Sequence, residues 1–166
     1  MVARGMSYRG GDLESERSFE DFFALEYPSL VKALYLLTGS QPEAEDVVQE
    51  AMARVFSSWP RVGRMDSPWG YVYVSAANEW KRRQRRHRLL PIAIPSSTAT
   101  DPETVSEVMD LLARMPVGWR ECVILVDWLG LSSGEAASIL GIRSSTVRGR
   151  LQRSREALRK QRTEEE

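Results

Sequence analysis

Cysteine and histidine are nearly missing from this chain, with one of each in 166 residues. A lone thiol excludes an internal disulfide and any cysteine-based zinc cluster. That thiol, Cys122, lies in the apolar run "CVILV", the setting of a buried small hydrophobe. One histidine, one cysteine and no converging carboxylate motif leave little for a nuclease or recombinase to work with. We therefore expect no catalytic chemistry, no metal and no cofactor. No apolar run approaches the roughly 18 to 20 residues that span a bilayer, so membrane insertion is not expected. The opening "MVARGMSYRGGDLESER" lacks the apolar core of a signal peptide. Residues 1–17 read as a disordered tail, and the whole as a reduced, cytoplasmic protein. Strand alternation and internal repeats are missing too.

What the chain does have is segregated charge. The formal net charge is +0. Yet residues 1–60 carry five Lys/Arg against ten Asp/Glu, and residues 61–88 carry eight against two. Residues 89–141 return to two against seven, and residues 142–166 to eight against four. Two basic stretches set between acidic ones suit two contacts with one polyanion. The acidic stretches suit a different partner, or keep the rest of the chain away from that polyanion.

Helical periodicity dominates the pattern. Phe19, Phe22, Phe23, Leu30, Leu34 and Leu37 recur at helical spacing behind an N-cap at Ser18, with Gly39 as the stop. Pro28 is expected to bend or divide this helix near Tyr27. A second helix opens with a Ser40/Glu43 capping box and buries Val47, Val48, Ala51, Met52, Val55 and Phe56. After a loop, "WPRVGRMD", a third begins at Ser67 with Pro68 in its first turn. The stretch "LLPIAIPSSTATDP" is the clearest break in composition and reads as a flexible linker over 89–101. Beyond it, Asp101 caps a helix ending before Pro116, and "GWRECVILVDWLG" forms another, closed by Gly130. The expected class is all-α, two small helical domains (18–88 and 102–162) on a flexible linker, with 163–166 as a tail.

The last two helices form a motif. Ser132 and Glu135 make a capping box, Ala136, Ile139 and Leu140 face inward, and Gly141 ends the helix in a left-handed turn. Ile142 plugs the turn and Ser144 caps the next helix, where Val147, Leu151, Ser154 and Leu158 point inward. The opposite positions are Ser145, Thr146, Arg148, Gly149, Arg150, Arg153 and Arg155. Short hydroxyls at a helix start meet phosphate or base edges, and arginines one turn on fork onto guanine or clamp the backbone. This is a helix–turn–helix whose second helix enters the major groove.

The other basic stretch sorts by helical angle. Trp69, Val72, Tyr73, Ala76 and Trp80 cluster as core, while Tyr71, Ser75, Asn78, Arg82 and Arg85 share a second arc. An aromatic ring stacks on an unpaired base and an asparagine reads a base edge. Two readings of this arc stand side by side. Either it reads bases, or Tyr71 rims the core and "KRRQRRHR", with His87 among its polar contacts, holds phosphate without sequence preference.

Taken together, these segments resemble the bacterial RNA polymerase sigma factors of the small, SigE-like extracytoplasmic-function (ECF) branch. "LTGSQPEAEDVVQEAMARVFSSW" is similar to the polymerase-binding helix of region 2 and "SPWGYVYVSAANEWKRRQRR" to the segment that opens and reads the −10 element. "GLSSGEAASILGIRSSTVRGRLQRSREALRK" is similar to the region 4 helix–turn–helix that reads the −35 element. The resemblance implies core polymerase docking through Asp46, Gln49, Glu50 and Arg54. It implies −10 contacts through Tyr71, Ser75, Asn78, Lys81, Arg82, Arg83 and Arg85. For the −35 element it implies Ser144, Ser145, Thr146, Arg148, Gly149, Arg150 and Arg153. Core RNA polymerase and promoter DNA are the partners it implies, with an inhibitory anti-sigma factor besides, and no further domain after region 4. The rival is a free-standing helix–turn–helix regulator.

Overall fold

The computed structural model describes residues 18–89 and 103–164. The expected N-terminal tail, nearly all of the linker and the Asp101 cap lie outside the described residues. Every described element is helical. The chain divides into two compact units, with the helices up to Leu89 in one and those from Glu103 onward in the other.

The first unit holds α1 (Phe19–Thr38), α2 (Gln41–Ser57), a single turn α3 (Trp59–Val62) and α4 (Pro68–Leu89). Ser18 Oγ accepts the Asp21 N–H at 3.1 Å, and Gly39 ends α1 with φ 76. Of the two outcomes expected at Pro28, division does not occur: α1 runs through it unbroken. The proline lies on the exposed face, and the buried stripe of Phe22, Leu30, Leu34 and Leu37 continues on both sides of it. Tertiary packing against α2 and α4 outweighs one missing backbone hydrogen bond.

Two other expectations need amending at α2. Ser40 Oγ accepts the Glu43 N–H at 3.4 Å, but the Ser40 N–H donates to Thr38 Oγ1 at 3.1 Å. The expected reciprocal box is thus replaced by a threonine reaching forward from the previous helix. Phe56, expected in the core, is 59% exposed and meets Phe19 edge-on at 5.1 Å. The supposed loop "WPRVGRMD" contains the turn α3, because Val62 is apolar and fully buried while its neighbours Arg61 and Gly63 stay exposed.

Helix α4 starts as expected, with Ser67 Oγ accepting the Gly70 N–H at 3.0 Å. Trp69 and Tyr73 stack at 5.4 Å with an interplanar angle of 7°. Trp69 Nε1 donates to Ser29 Oγ at 2.8 Å, fastening α4 to α1. Truncating a buried tryptophan of this kind costs about 3–5 kcal/mol. Trp69 is therefore the anchor that fixes the face on which Tyr71, Ser75 and Asn78 turn outward.

The second unit holds α5 (Glu103–Arg114), α6 (Val117–Cys122), α7 (Ser133–Leu140) and α8 (Ser144–Glu164). Helix α6 does not continue as an ordinary α-helix, as its sequence suggested. Residues Val123–Trp128 widen into π-helical turns, and the Leu129 N–H bonds the Ile124 carbonyl at 3.0 Å. Cys122, Ile124 and Leu125 are buried here, with Val123 half-buried between them. Burial pushes the Cys122 thiol up, so it stays protonated and packs as a hydrophobe.

Candidate nucleic-acid interface

The helix–turn–helix is built as its sequence requires. Ser132 Oγ accepts the Glu135 N–H at 3.1 Å while Glu135 Oε2 accepts the Ser132 N–H at 2.7 Å. Gly141 sits at φ 66, and the Ile142 N–H returns to the Ala137 carbonyl at 3.1 Å. The inward face of α7 is Ala136 and Ala137, with Ile139 and Leu140 half-buried rather than central. Ser144 is the first residue of α8 and not its cap. The Arg143 carbonyl accepts from the Thr146 and Val147 N–H groups instead. Val147, Leu151 and Ser154 are buried and Leu158 half-buried. Ser154 Oγ donates to the Arg150 carbonyl at 2.8 Å, so its hydroxyl is satisfied within the helix.

That fastening leaves Ser145, Thr146, Arg148 and Arg153 exposed on one side of α8, with Gly149 half-buried among them. Arg150 departs from this pattern. It is half-buried, and its Nη1 reaches toward the Gly118 carbonyl at 3.5 Å. A Cβ at Gly118 would come within 2.9 Å of that nitrogen. A side chain at this position would displace the flexible end of Arg150 and not the backbone. Arg155 is tied to Asp127 at 2.8 Å.

On α4, Tyr71 is 39% exposed. Arg61 from α3 donates to its hydroxyl at 3.2 Å and lies 5.4 Å from the ring centroid. Sequence reasoning missed Arg61, which stands ten positions before Tyr71 in what read as a loop; only the turn α3 brings the two together. Asn78 and Arg85 are exposed and Ser75 and Lys81 half-buried. His87 is exposed among the arginines of the last turns.

Arg82 and Arg83, expected to face DNA, also pair with carboxylates, and Arg82 stays exposed. Arg82 donates to both oxygens of Glu79, at 2.9 and 2.7 Å. Arg83 Nε donates to Glu79 at 3.1 Å, its Nη1 pairs with Asp46 and its Nη2 with Glu50. Arg54 joins the same network, at 2.9 Å from Glu50 and 3.4 Å from Glu79. Gln49 donates to the Tyr27 hydroxyl at 3.0 Å. Three of the four residues expected to dock polymerase and two of those expected to touch DNA therefore share one cluster between α2 and α4.

Glu79 is the centre of that cluster, and nothing in the sequence singled it out. Its side chain is 6% exposed. The hydrogen bonds from Arg82, above all, then Arg83 and Arg54, hold its carboxyl down at about 2 against the opposing cost of desolvation. A buried carboxylate survives ionised only with such partners. The signal that could have found it is its position, three and four residues before two arginines on one helix.

Among the described residues no group of His, Cys, Asp and Glu could hold a metal ion, and no helix is long and apolar enough to cross a membrane.

Comparison with known proteins agrees with this geometry. Residues 22–89 match the family model for sigma-70 region 2, and residues 106–158 match that for sigma-70, region 4. The chain is 28% identical over 162 residues to the ECF RNA polymerase sigma factor SigE of Mycolicibacterium smegmatis, covering 90% of this chain and 63% of that relative's length. It is 25% identical over 150 residues to the RNA polymerase sigma-E factor of Streptomyces coelicolor, covering 86% and 85% of the two. Among solved structures, the sigma factor RpoE bound to the anti-sigma factor NepR from Bartonella quintana shares the fold. Its TM-score is 0.75 at 22% identity, with coverage of 87% of this chain and 96% of that one. CnrH in complex with the cytosolic domain of CnrY gives a TM-score of 0.69 at 21% identity, with coverage of 92% of each chain. The chain belongs to the sigma-70 family of RNA polymerase sigma factors, in its extracytoplasmic-function branch.

Proposed function

We propose that this chain binds core RNA polymerase and directs it to promoters by contacting their −10 and −35 elements, with no catalytic chemistry of its own. The observation that carries this reading is the pairing of two helical units, matched to region 2 and region 4 in that order, each presenting a cationic helix. A free-standing helix–turn–helix regulator would leave the whole of the first unit unused.

The roles divide by surface. Ser145, Thr146, Arg148 and Arg153 of α8, with Ser144 and Gly149 beside them, face the −35 element. Tyr71, Ser75, Asn78, Lys81 and Arg85 of α4 face the −10 element, where the ring supplies stacking and the amide supplies edge recognition. Strand opening draws on binding energy from capturing unpaired bases, whose unstacking costs a few kcal/mol. Asp46, Gln49, Glu50 and Arg54 of α2 face the polymerase. An inhibitory partner fits as well, since two similar folds were solved with one: RpoE with the anti-sigma factor NepR, and CnrH with CnrY. The reading places the chain in the cytoplasm, where polymerase and promoter are.

Reconstitution with core polymerase and a promoter library, reading transcript start sites, tests the proposal. The expected result is a set of starts sharing −10 and −35 sequences. No transcript above that from core alone would end it.

A further inference from the structure

The Arg83 cluster joins α2 carboxylates assigned to the polymerase with an arginine that the family resemblance assigns to the −10 element. All three guanidinium nitrogens of Arg83 are engaged, by Glu79 at Nε, Asp46 at Nη1 and Glu50 at Nη2. A guanidinium grips phosphate best through a pair of adjacent N–H groups. With each nitrogen on a different carboxylate, Arg83 has no undisturbed pair to offer. Resting on the sigma reading, we propose that Arg83 couples polymerase docking to DNA contact: Asp46 and Glu50 mask it in the free chain, and a partner that takes those carboxylates releases it to phosphate.

The exposure of the three carboxylates decides which bonds exchange. Asp46 is 64% and Glu50 38% exposed, whereas Glu79 is 6% exposed. Ion pairs at the solvent rim are weak and compete poorly with a cation brought by a partner. The buried Glu79 bond stays, so the released guanidinium keeps its place on α4 with its Nη groups turned free. By contrast, Arg85, Arg86 and Arg88, two, three and five residues on, are exposed, and none forms an ion pair with a described residue. They give the free chain a weak, unmasked phosphate contact. Linkage makes the effect reciprocal: DNA that occupies Arg83 leaves Asp46 free and Glu50 held by Arg54 alone, and both then meet the polymerase more readily.

The test uses the full chain without polymerase, and a labelled forked duplex with a single-stranded end. Asp46→Asn/Glu50→Gln is expected to bind this probe about three- to sixfold more tightly at physiological salt, with a salt slope steeper by about 0.7 to 0.9, the signature of one added phosphate contact. Combined with Arg83→Ala, the same pair of substitutions is expected to give no gain. Glu43→Gln/Glu45→Gln removes the same two charges from α2, from residues that do not pair with Arg83, and is expected to leave binding unchanged. A gain that survives Arg83→Ala, an equal gain from Glu43→Gln/Glu45→Gln, or no gain in the double variant overturns the proposal. If the double variant does not keep its helical signal and melting transition, the single Asp46→Asn frees Nη1 alone and is expected to give a smaller gain, which Arg83→Ala again abolishes. Because polymerase is absent throughout, this failure is distinct from failure of the transcription assay.

Discussion

The two cationic helices solve the same problem in opposite ways. In α8, buried Val147 and Leu151 do the anchoring, and Arg148 and Arg153 are left to solvent. In α4, Arg82 and Arg83 are themselves part of the structure, because they neutralise Glu79 between α2 and α4. An arginine run therefore has two possible duties. A cation with no carboxylate within reach is available to a ligand, while one beside a buried acid is first a component of the fold. Substitutions in α8 should separate binding from stability, whereas substitutions at the α4 cluster should not.

The largest break in this contrast is expected at Glu79. Its carboxyl is lowered from 4.5 in the unfolded chain to about 2 in the folded one. Stability from this group is therefore complete above pH 4.5 and lost as pH falls toward 2. Discounted for the solvent that reaches its arginine partners, the contribution is on the order of 2 kcal/mol. Glu79→Gln is expected to lower stability at pH 7 by about that much and to flatten the loss between pH 4.5 and 2. Urea titrations across that range measure both. An unchanged pH profile would show that Glu79 is not the titrating centre.

Arg148→Ala tests the opposite side. Removing an exposed arginine that faces a base or phosphate is expected to cost about 1–3 kcal/mol in promoter binding. Its effect on stability is expected to remain within about 0.5 kcal/mol. The loss should appear with −35 substitutions and not with −10 substitutions in the same promoter. Asn78→Ala, on α4 but outside the carboxylate cluster, is expected to cost about 1–2 kcal/mol at the −10 element alone. Should both variants lose discrimination at one element, the division of surfaces between α4 and α8 is wrong.

Sequence reasoning reached the architecture because local signals here agree with tertiary ones. Ser18, Ser67 and Ser132 cap where their spacing placed them, and Gly39, Gly130 and Gly141 take the left-handed turns that end helices. It failed where a distant partner decides. Pro28 is tolerated because buried residues flank it on both sides. Arg150 turns inward toward the carbonyl of Gly118, thirty-two positions earlier. The Glu79 cluster depends on α2 carboxylates that periodicity places on a solvent face, where only packing of α2 against α4 shows what they meet. The exposed face of α8 was legible by subtraction, once inward positions were assigned. The engagement of its cations was not.

Gly149 is where the contrast is smallest and sharpest. It lies inside α8 and does not need a positive φ. A Cβ added there would meet only Arg153 Nη2, at 3.7 Å, an ordinary contact. The folded chain thus has no steric use for this glycine, and alanine should stabilise the helix by about 0.5–1 kcal/mol. Gly149 stands between Arg148 and Arg150, on the side of α8 that would enter the groove. A bare Cα at that point lets the backbone approach DNA more closely than any side chain would allow. Gly149→Ala is therefore expected to raise the melting temperature and to weaken −35 binding at once. If stability rises and promoter affinity holds, the glycine serves neither fold nor DNA, and close backbone approach is excluded as its reason.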